Sequence, residues 1–143
     1  MNAAELKFRR FLGPAMAGEW MMTWHEDREI SPGVPDLHYV PKHEDLHRVG
    51  WLELKATDGA LTKSNRIKVE PSQHQYIRKW RAYMPIHFLI RVKEEVFLID
   101  GIHHGAIPEA TEISTFMSLS LRWFHQDDTK LVLPDLLKTI TRI

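Results

Sequence analysis

Residues 49–57 read Val-Gly-Trp-Leu-Glu-Leu-Lys-Ala-Thr, a short apolar run with two charged residues inside it. An apolar run of this length predicts a β-strand. Side chains two positions apart leave a strand on the same face, so Glu53 and Lys55 share one face while Leu52 and Leu54 take the other. The strand therefore carries a charged pair on one side and a core-forming surface on the other.

A second carboxylate, Asp36, follows the turn-forming residues 31–35, Ser-Pro-Gly-Val-Pro, upstream of Glu53. Hydrolysis of a phosphodiester is assisted by a divalent cation that lowers the pKa of bound water and binds phosphate oxygens. Magnesium prefers one or two carboxylates together with waters and phosphate oxygens, and Asp36 and Glu53 match this requirement. Lys55 beside them can orient the attacking water or help to deprotonate it. The chain contains no cysteine, and oxygen ligands favour Mg²⁺ or Mn²⁺ over zinc.

The combination of Pro35-Asp36 with Glu53-Leu54-Lys55 resembles the PD-(D/E)XK nuclease pattern. The fuller string, SPGVPDL, then GWLELKA, then PSQ, resembles the virus-type replication and repair nucleases (VRR-NUC), near the Holliday junction resolvase-like branch. The resemblance covers about residues 20–101. It implies an α/β fold of the restriction-endonuclease type, a mixed sheet flanked by helices, in a single nuclease domain over residues 1–143.

The resemblance also implies roles for individual residues. Asp36 and Glu53 would bind Mg²⁺ or Mn²⁺, with the Leu54 backbone carbonyl as a further ligand. Lys55 would be the catalytic lysine, and Gln73, at the start of a helix, would lie near the active centre. A third acid is expected from the N-terminal helix or just before the turn, as Glu5 or Glu26.

Each of these residues also has a structural interpretation. Glu5 fits a favourable charge at a helix start, and Gln73 fits an ordinary surface glutamine. Glu53 and Lys55 could be a solvent-facing pair on an edge strand. Val49 and Trp51 share their face, however, so that face is not simply solvated, and a buried carboxylate beside a lysine indicates a functional site.

Positive charge is concentrated directly after the Glu-x-Lys strand, although the net charge of the chain is zero. Residues 62–81 contain six basic residues and one acidic residue, whereas residues 93–143 contain eight acidic and five basic residues. The basic segment predicts a phosphate-binding rim beside the metal, and the alternative is a solvated loop and helix face. The nucleic-acid-binding candidates are Lys63, Arg66, Lys68 and Arg78.

Local signals predict the order of the elements. A helix is expected over 3–11, ended by Gly13-Pro14, and a second over 72–84, where Ser72 and Gln75 fit a capping box. Residues 105–143 are expected to be helical around a short strand at 121–124, with helices opening at Pro108 and Pro134, and their role is open. The other predicted strands are 20–24, 37–40, 87–92 and 96–100.

Composition places the chain among single-domain proteins of ordinary hydrophobicity. The 143 residues are 43% hydrophobic and include five tryptophans, which suffices for one core. No long apolar span is present, and residues 1–12 carry several charges, so we expect a cytoplasmic protein, in the host cytoplasm if phage-encoded, with no membrane partner.

The expected activity is a metal-dependent DNA endonuclease, selective for branched or junction DNA, in phage or repair and recombination metabolism. Symmetric cutting of two strands favours a homodimer. Two alternatives stay open: a sequence-specific restriction-type endonuclease, and a DNA-binding protein without catalysis.

Overall fold

The computed structural model describes residues 2–25, 33–42 and 47–142. Six strands form one sheet in which neighbouring strands follow the order of the chain. Among the described residues, no helix is both long enough and apolar enough to cross a membrane. The strands are β1 Trp20–Trp24, β2 Leu37–Pro41, β3 Gly50–Thr57, β4 Ile86–Val92, β5 Glu95–Asp100 and β6 Arg122–His125; the helices are α1 Ala3–Met16, α2 Pro71–Trp80, α3 Ile113–Leu119 and α4 Thr129–Thr141.

The sheet is mixed because one pair of strands is parallel. β3 and β4 run parallel, while every other neighbouring pair of named strands is antiparallel. A parallel pair needs a crossover connection, and α2 lies in the crossover from β3 to β4. The predicted α/β fold, a mixed sheet flanked by helices, is confirmed.

Helices cover both faces of the sheet. One core joins α1 and α4 to the sheet and contains Leu52, Leu54 and Ala56 of β3. The other core joins α2 and α3 to the opposite face, with Trp51 packed against it. Leu52 and Leu54 therefore lie on the α1 side, and Glu53 and Lys55 point to the α2 side, as the alternation of β3 predicts.

Two helix boundaries differ from the prediction because a proline lies inside the helix. The sequence predicts that α1 ends before Gly13-Pro14, but the helix continues to Met16, which is buried with Phe8 and Leu12 on one face. α4 begins at Thr129 and contains Pro134, so this proline does not open it. A proline removes one helical hydrogen bond, and burial of an apolar face compensates for that loss.

The start of α2 also differs from the prediction. Its first residue is Pro71 and its N-cap is Glu70, so Gln73 is the third helical residue and Gln75 has no capping role. The helix ends at Trp80, four residues before the predicted end. Proline favours the first helical position, and this preference outweighs that of Ser72 for the N-cap.

The last part of the chain contains shorter elements than predicted. Pro108 lies in a three-residue 3₁₀ helix, Ile107–Glu109, and the next α-helix, α3, begins only at Ile113. The short strand is β6, shifted by one residue from the predicted 121–124.

Candidate active site

Asp36 lies where β2 stops pairing with β3. The two strands pair from Tyr39 opposite Gly50 to Leu37 opposite Leu52. Asp36 is 1% exposed, and its Oδ2 accepts a hydrogen bond of 2.7 Å from the Leu54 backbone N–H. The Asp36 side chain thus bonds to β3 just beyond the last paired residues, where a backbone group of β2 would otherwise be the partner.

The turn before Asp36 is fitted against the start of α2. Gly33 has a φ of +82°, and a Cβ built on it would lie 2.1 Å from the backbone oxygen of Ser72. Only glycine satisfies both the left-handed conformation and this close approach. The Gly33 turn therefore sets the position of Asp36 relative to Gln73, which follows Ser72.

The Leu54 carbonyl is directed to the same side of β3 as Asp36. The N–H and C=O of one residue leave a strand on the same side, because an antiparallel pair exchanges both bonds. Leu54 donates its N–H to Asp36, and two residues further the Ala56 carbonyl accepts from Asn2 Nδ2 at 3.5 Å. The direction of the Leu54 carbonyl thus fits the expected metal ligand.

Gln73 joins Glu53 to Lys55. Its Nε2 donates to Glu53 Oε1 at 2.7 Å, and its Oε1 accepts from Lys55 Nζ at 3.0 Å and from the Glu70 backbone N–H at 2.9 Å. The reversed amide would place its NH₂ against two donors and its carbonyl against a carboxylate. The three partners therefore fix the orientation of the Gln73 amide.

Glu53 and Lys55 are almost completely buried, with 2% and 6% of their surfaces exposed. Lys55 Nζ lies 3.8 Å from Glu53 Oε1, so the two form a buried ion pair. Such a pair recovers its desolvation cost only with good geometry and further hydrogen bonds, which Gln73 supplies here. Because a buried ion pair adds little stability, its presence favours a functional role.

A cavity of about 520 Å³ opens beside this network. Its lining includes Lys55 and Gln73 from the network, Glu5 from α1, and Arg66 and Lys68 from the loop after β3. The cavity therefore brings acidic, basic and amide groups from three parts of the chain to one place.

Glu5 is the half-buried acid of this cavity. Burial raises the pKa of its carboxyl, and the charge of Asp36 adds to that rise, while Lys55 and the hydrogen bond from Asn2 oppose it. Glu5 also accepts hydrogen bonds from Asn2 in a capping box at the start of α1, so it has a structural role as well. The other expected third acid, Glu26, lies outside the described residues.

The expected ligands match a hard cation by their chemistry, although Asp36 and Glu53 are almost fully buried and do not line the cavity. Within residues 2–25, 33–42 and 47–142, no three histidine, aspartate or glutamate side chains converge as a cage for a metal. Asp36, Glu53 and the Leu54 carbonyl offer only oxygen ligands, with Glu5 electrostatically coupled to Asp36. Two carboxylates and a carbonyl match Mg²⁺ or Mn²⁺, which bind substrate phosphates and waters as well.

Three of the four basic candidates gather near the cavity. Arg66 and Lys68 line it, and Lys63 lies with both of them along a neighbouring depression of the surface. Arg78 is not among the residues that line either cavity; its Nε donates to the His74 carbonyl at 3.4 Å on α2. The predicted basic rim therefore consists of the loop residues, with Arg78 apart from them.

Asn2 and Asn65 also line the cavity, and neither is among the residues that the sequence motifs single out. Asn65 Nδ2 donates to Thr57 Oγ1 at 3.0 Å and to the Ala60 carbonyl at 2.8 Å, which holds the loop against the end of β3. Asn2 could have been found, because an asparagine three residues before Glu5 is the signature of a capping box. The sequence carries no comparable signal for Asn65.

No protein-family model matches this chain, and no curated protein is similar enough to match it.

Proposed function

We propose that this protein is a Mg²⁺- or Mn²⁺-dependent DNA endonuclease that hydrolyses phosphodiester bonds. The observation that carries the proposal is that β3 holds two sets of buried contacts: Asp36 is bonded to Leu54, and Glu53 is joined through Gln73 to Lys55. It is the resemblance to PD-(D/E)XK nucleases that gives these groups their assigned roles.

Asp36, Glu53 and the Leu54 carbonyl would hold the cation on the edge of β3. When bound, the cation supplies Lewis acidity and a water of lowered pKa. Lys55 projects from the face that carries Glu53 and reaches the cavity, where its ammonium can orient the attacking water or a phosphate oxygen. Gln73 holds the Lys55 ammonium in position, since its carbonyl accepts from Nζ.

The loop after β3 would hold the DNA. Lys63, Arg66 and Lys68 are exposed beside the cavity, and cationic side chains of this kind bind backbone phosphates without reading sequence. Arg66 also lies 3.9 Å from Glu109, an exposed ion pair that contributes little and can be exchanged for a phosphate.

The proposed substrate is branched or junction DNA, cut by a homodimer in phage or repair metabolism to leave 5′-phosphate and 3′-hydroxyl ends. This part of the proposal follows from the resemblance. Two symmetric active sites would match the symmetry of a four-way junction.

The test is a cleavage assay on linear duplex, single strand, flap and four-way junction, each with Mg²⁺, Mn²⁺ or EDTA. The proposal expects cutting with either cation and none with EDTA. Cutting confined to one duplex sequence would instead support a restriction-type enzyme. Binding without cutting of any substrate would support a non-catalytic DNA-binding protein.

A further inference from the structure

An aromatic row begins on β3 beside the candidate active site, follows α2 and ends in the turn after that helix. We give this name to Trp51, Tyr76, Trp80 and Tyr83. Neighbouring rings lie 6.5 Å, 6.2 Å and 6.2 Å apart between centroids, in tilted or edge-on arrangements. At the other side of Trp51, His25 stacks on its ring at 5.3 Å.

The aromatic row begins on the two elements that carry the site. Trp51 precedes Glu53 by two residues on the same face of β3. Tyr76 follows Gln73 by three residues, which is about one turn of α2. A DNA strand bound beside Glu53 and Gln73 can therefore continue onto the first rings of the row on the same two elements.

The far end of the aromatic row is open to solvent. Trp80 is 37% exposed and Tyr83 is 74% exposed. Trp51 and Tyr76 pack against the core on the α2 side, whereas Trp80 and Tyr83 are not part of either described core cluster. Packing of the fold thus accounts for the first two rings but not for the last two.

Positive charge accompanies the exposed rings. Arg78, Lys79 and Arg81 are exposed around Trp80, and no acidic residue occurs between Glu70 and Glu94 in the sequence. Lys79 Nζ lies 5.2 Å from the centroid of the Trp80 ring. Aromatic rings interleaved with cations are the combination that binds single-stranded nucleic acid, because the rings stack on bases and the cations meet phosphates.

We propose that the aromatic row binds unpaired bases of a DNA strand that leaves the active site. Within a duplex the faces of the bases are covered by neighbouring pairs, so an unpaired strand offers Trp80 and Tyr83 base faces that a continuous duplex does not. The inference deepens the proposed function and rests on it for the path of the strand. It supplies a physical reason for selecting flaps, whose single-stranded arm contains unpaired bases.

The test measures binding without cleavage, so it is independent of nuclease activity. Wild-type protein in EDTA is titrated with labelled oligothymidylate and with an abasic strand of equal length and charge, using fluorescence anisotropy. The variants are Trp80→Leu and Tyr83→Ala, with Trp80→Phe as the aromatic replacement. Trp123→Leu, at an exposed tryptophan of β6, is the matched control.

We expect wild type to bind oligothymidylate about tenfold more tightly than the abasic strand. Trp80→Leu and Tyr83→Ala should reduce this preference, whereas Trp80→Phe and Trp123→Leu should keep it. Equal binding of both strands by wild type would overturn the inference, as would an unchanged preference in Trp80→Leu and Tyr83→Ala or an equal loss in Trp123→Leu. If the preference exists but no substrate is cut with Mg²⁺, the proposed nuclease fails while the stacking site stands.

Discussion

Gln73 links the fold to the chemistry of the candidate site. Its amide satisfies the Glu70 backbone N–H at the start of α2 and, through the same oxygen, the Lys55 ammonium. Its nitrogen donates to Glu53. Any change at this position therefore alters both the helix start and the buried ion pair.

We expect Gln73→Met to slow cleavage by about tenfold or more and to lower the free energy of unfolding by about 1–3 kcal/mol. The methionine fills the space but leaves Glu53 and Lys55 each short of a hydrogen bond. Single-turnover cleavage and urea unfolding measure the two effects. Gln75→Met, at an exposed glutamine on the same helix, is the control and should change neither; equal effects of the two substitutions would contradict the role of Gln73.

His87 on β4 is a buried histidine that predicts a loss of stability in acid. Its Nδ1 has no hydrogen-bond partner among the described residues, and its Nε2 lies 3.9 Å from Asp100, beyond hydrogen-bonding distance. Burial lowers the pKa of His87 below its ordinary value of 6.5, and Asp100 opposes this only in part. The unfolded chain then binds more protons than the folded one below pH 6.5, so stability falls as the pH falls through this window.

We expect His87→Leu to reduce this loss of stability in acid. The free energy of unfolding, measured with urea at several pH values below 6.5, should fall less steeply in the variant than in wild type. His125→Gln is the control with the opposite sign. A hydrogen bond to Glu94 raises the pKa of His125. The contribution of His125 to stability is therefore complete below pH 6.5 and is lost as the pH rises through the raised pKa. If the free energy of unfolding falls as steeply with acid in His87→Leu as in wild type, other groups cause the loss of stability.

At the scale of elements, the loop after β3 carries the proposed contact with DNA. Changing Lys63, Arg66 and Lys68 together to glutamine should weaken DNA binding and reduce its dependence on salt. The slope of log affinity against log salt should fall by about 0.9 for each phosphate of duplex DNA that the loop no longer neutralises. Cleavage at saturating DNA should change little, because Lys55 and the carboxylates are retained.

The control changes Arg122 and Lys130, two exposed basic residues of β6 and α4, to glutamine. It should leave the salt slope near that of wild type. A triple variant with the wild-type slope would mean that the loop is solvated and does not bind phosphate.

The strands could be predicted within about one residue, and helix ends could not. β1 matches its predicted bounds, and β3 differs by one residue, because apolar alternation and flanking turn residues mark a strand locally. The ends of α1 and α4 depend on whether burial outweighs the cost of Pro14 and Pro134. That balance depends on how the helix packs against the sheet, and a local sequence pattern does not reveal this packing.

At the scale of the whole molecule, the sequence predicts the members of a candidate site but not how they are held. Alternation on β3 places Glu53 and Lys55 together, and the structure brings both to Gln73. The bond from Leu54 to Asp36 depends on where β2 stops pairing with β3, and the sequence does not encode that register locally. Asn65 is held by hydrogen bonds to Thr57 and Ala60 across the loop, and no local sequence pattern predicts such contacts.

The substrate prediction also belongs to the whole molecule. We expect Mg²⁺-dependent cleavage of four-way or flapped DNA to exceed that of linear duplex by at least about tenfold, equivalent to about 1.4 kcal/mol in transition-state binding. An open, bendable centre lets a compact active site reach the strand, and a homodimer would match its symmetry. Equal cutting of both substrates, or a monomer in sedimentation with DNA present, would contradict the junction prediction and leave the metal-dependent nuclease untouched.

The most direct test of the nuclease proposal is the single-turnover cleavage rate of Asp36→Asn and Glu53→Gln at saturating Mg²⁺ or Mn²⁺. Both amides can keep the hydrogen bonds to Leu54 and Gln73, so folding and DNA binding should stay largely intact, although Glu53→Gln removes the charge partner of the buried Lys55. Lys55→Ala tests the lysine separately and should disable turnover while the metal still binds. The account predicts that both amide variants bind DNA as wild type does and do not cleave it. Near wild-type cleavage by either one would contradict the metal site.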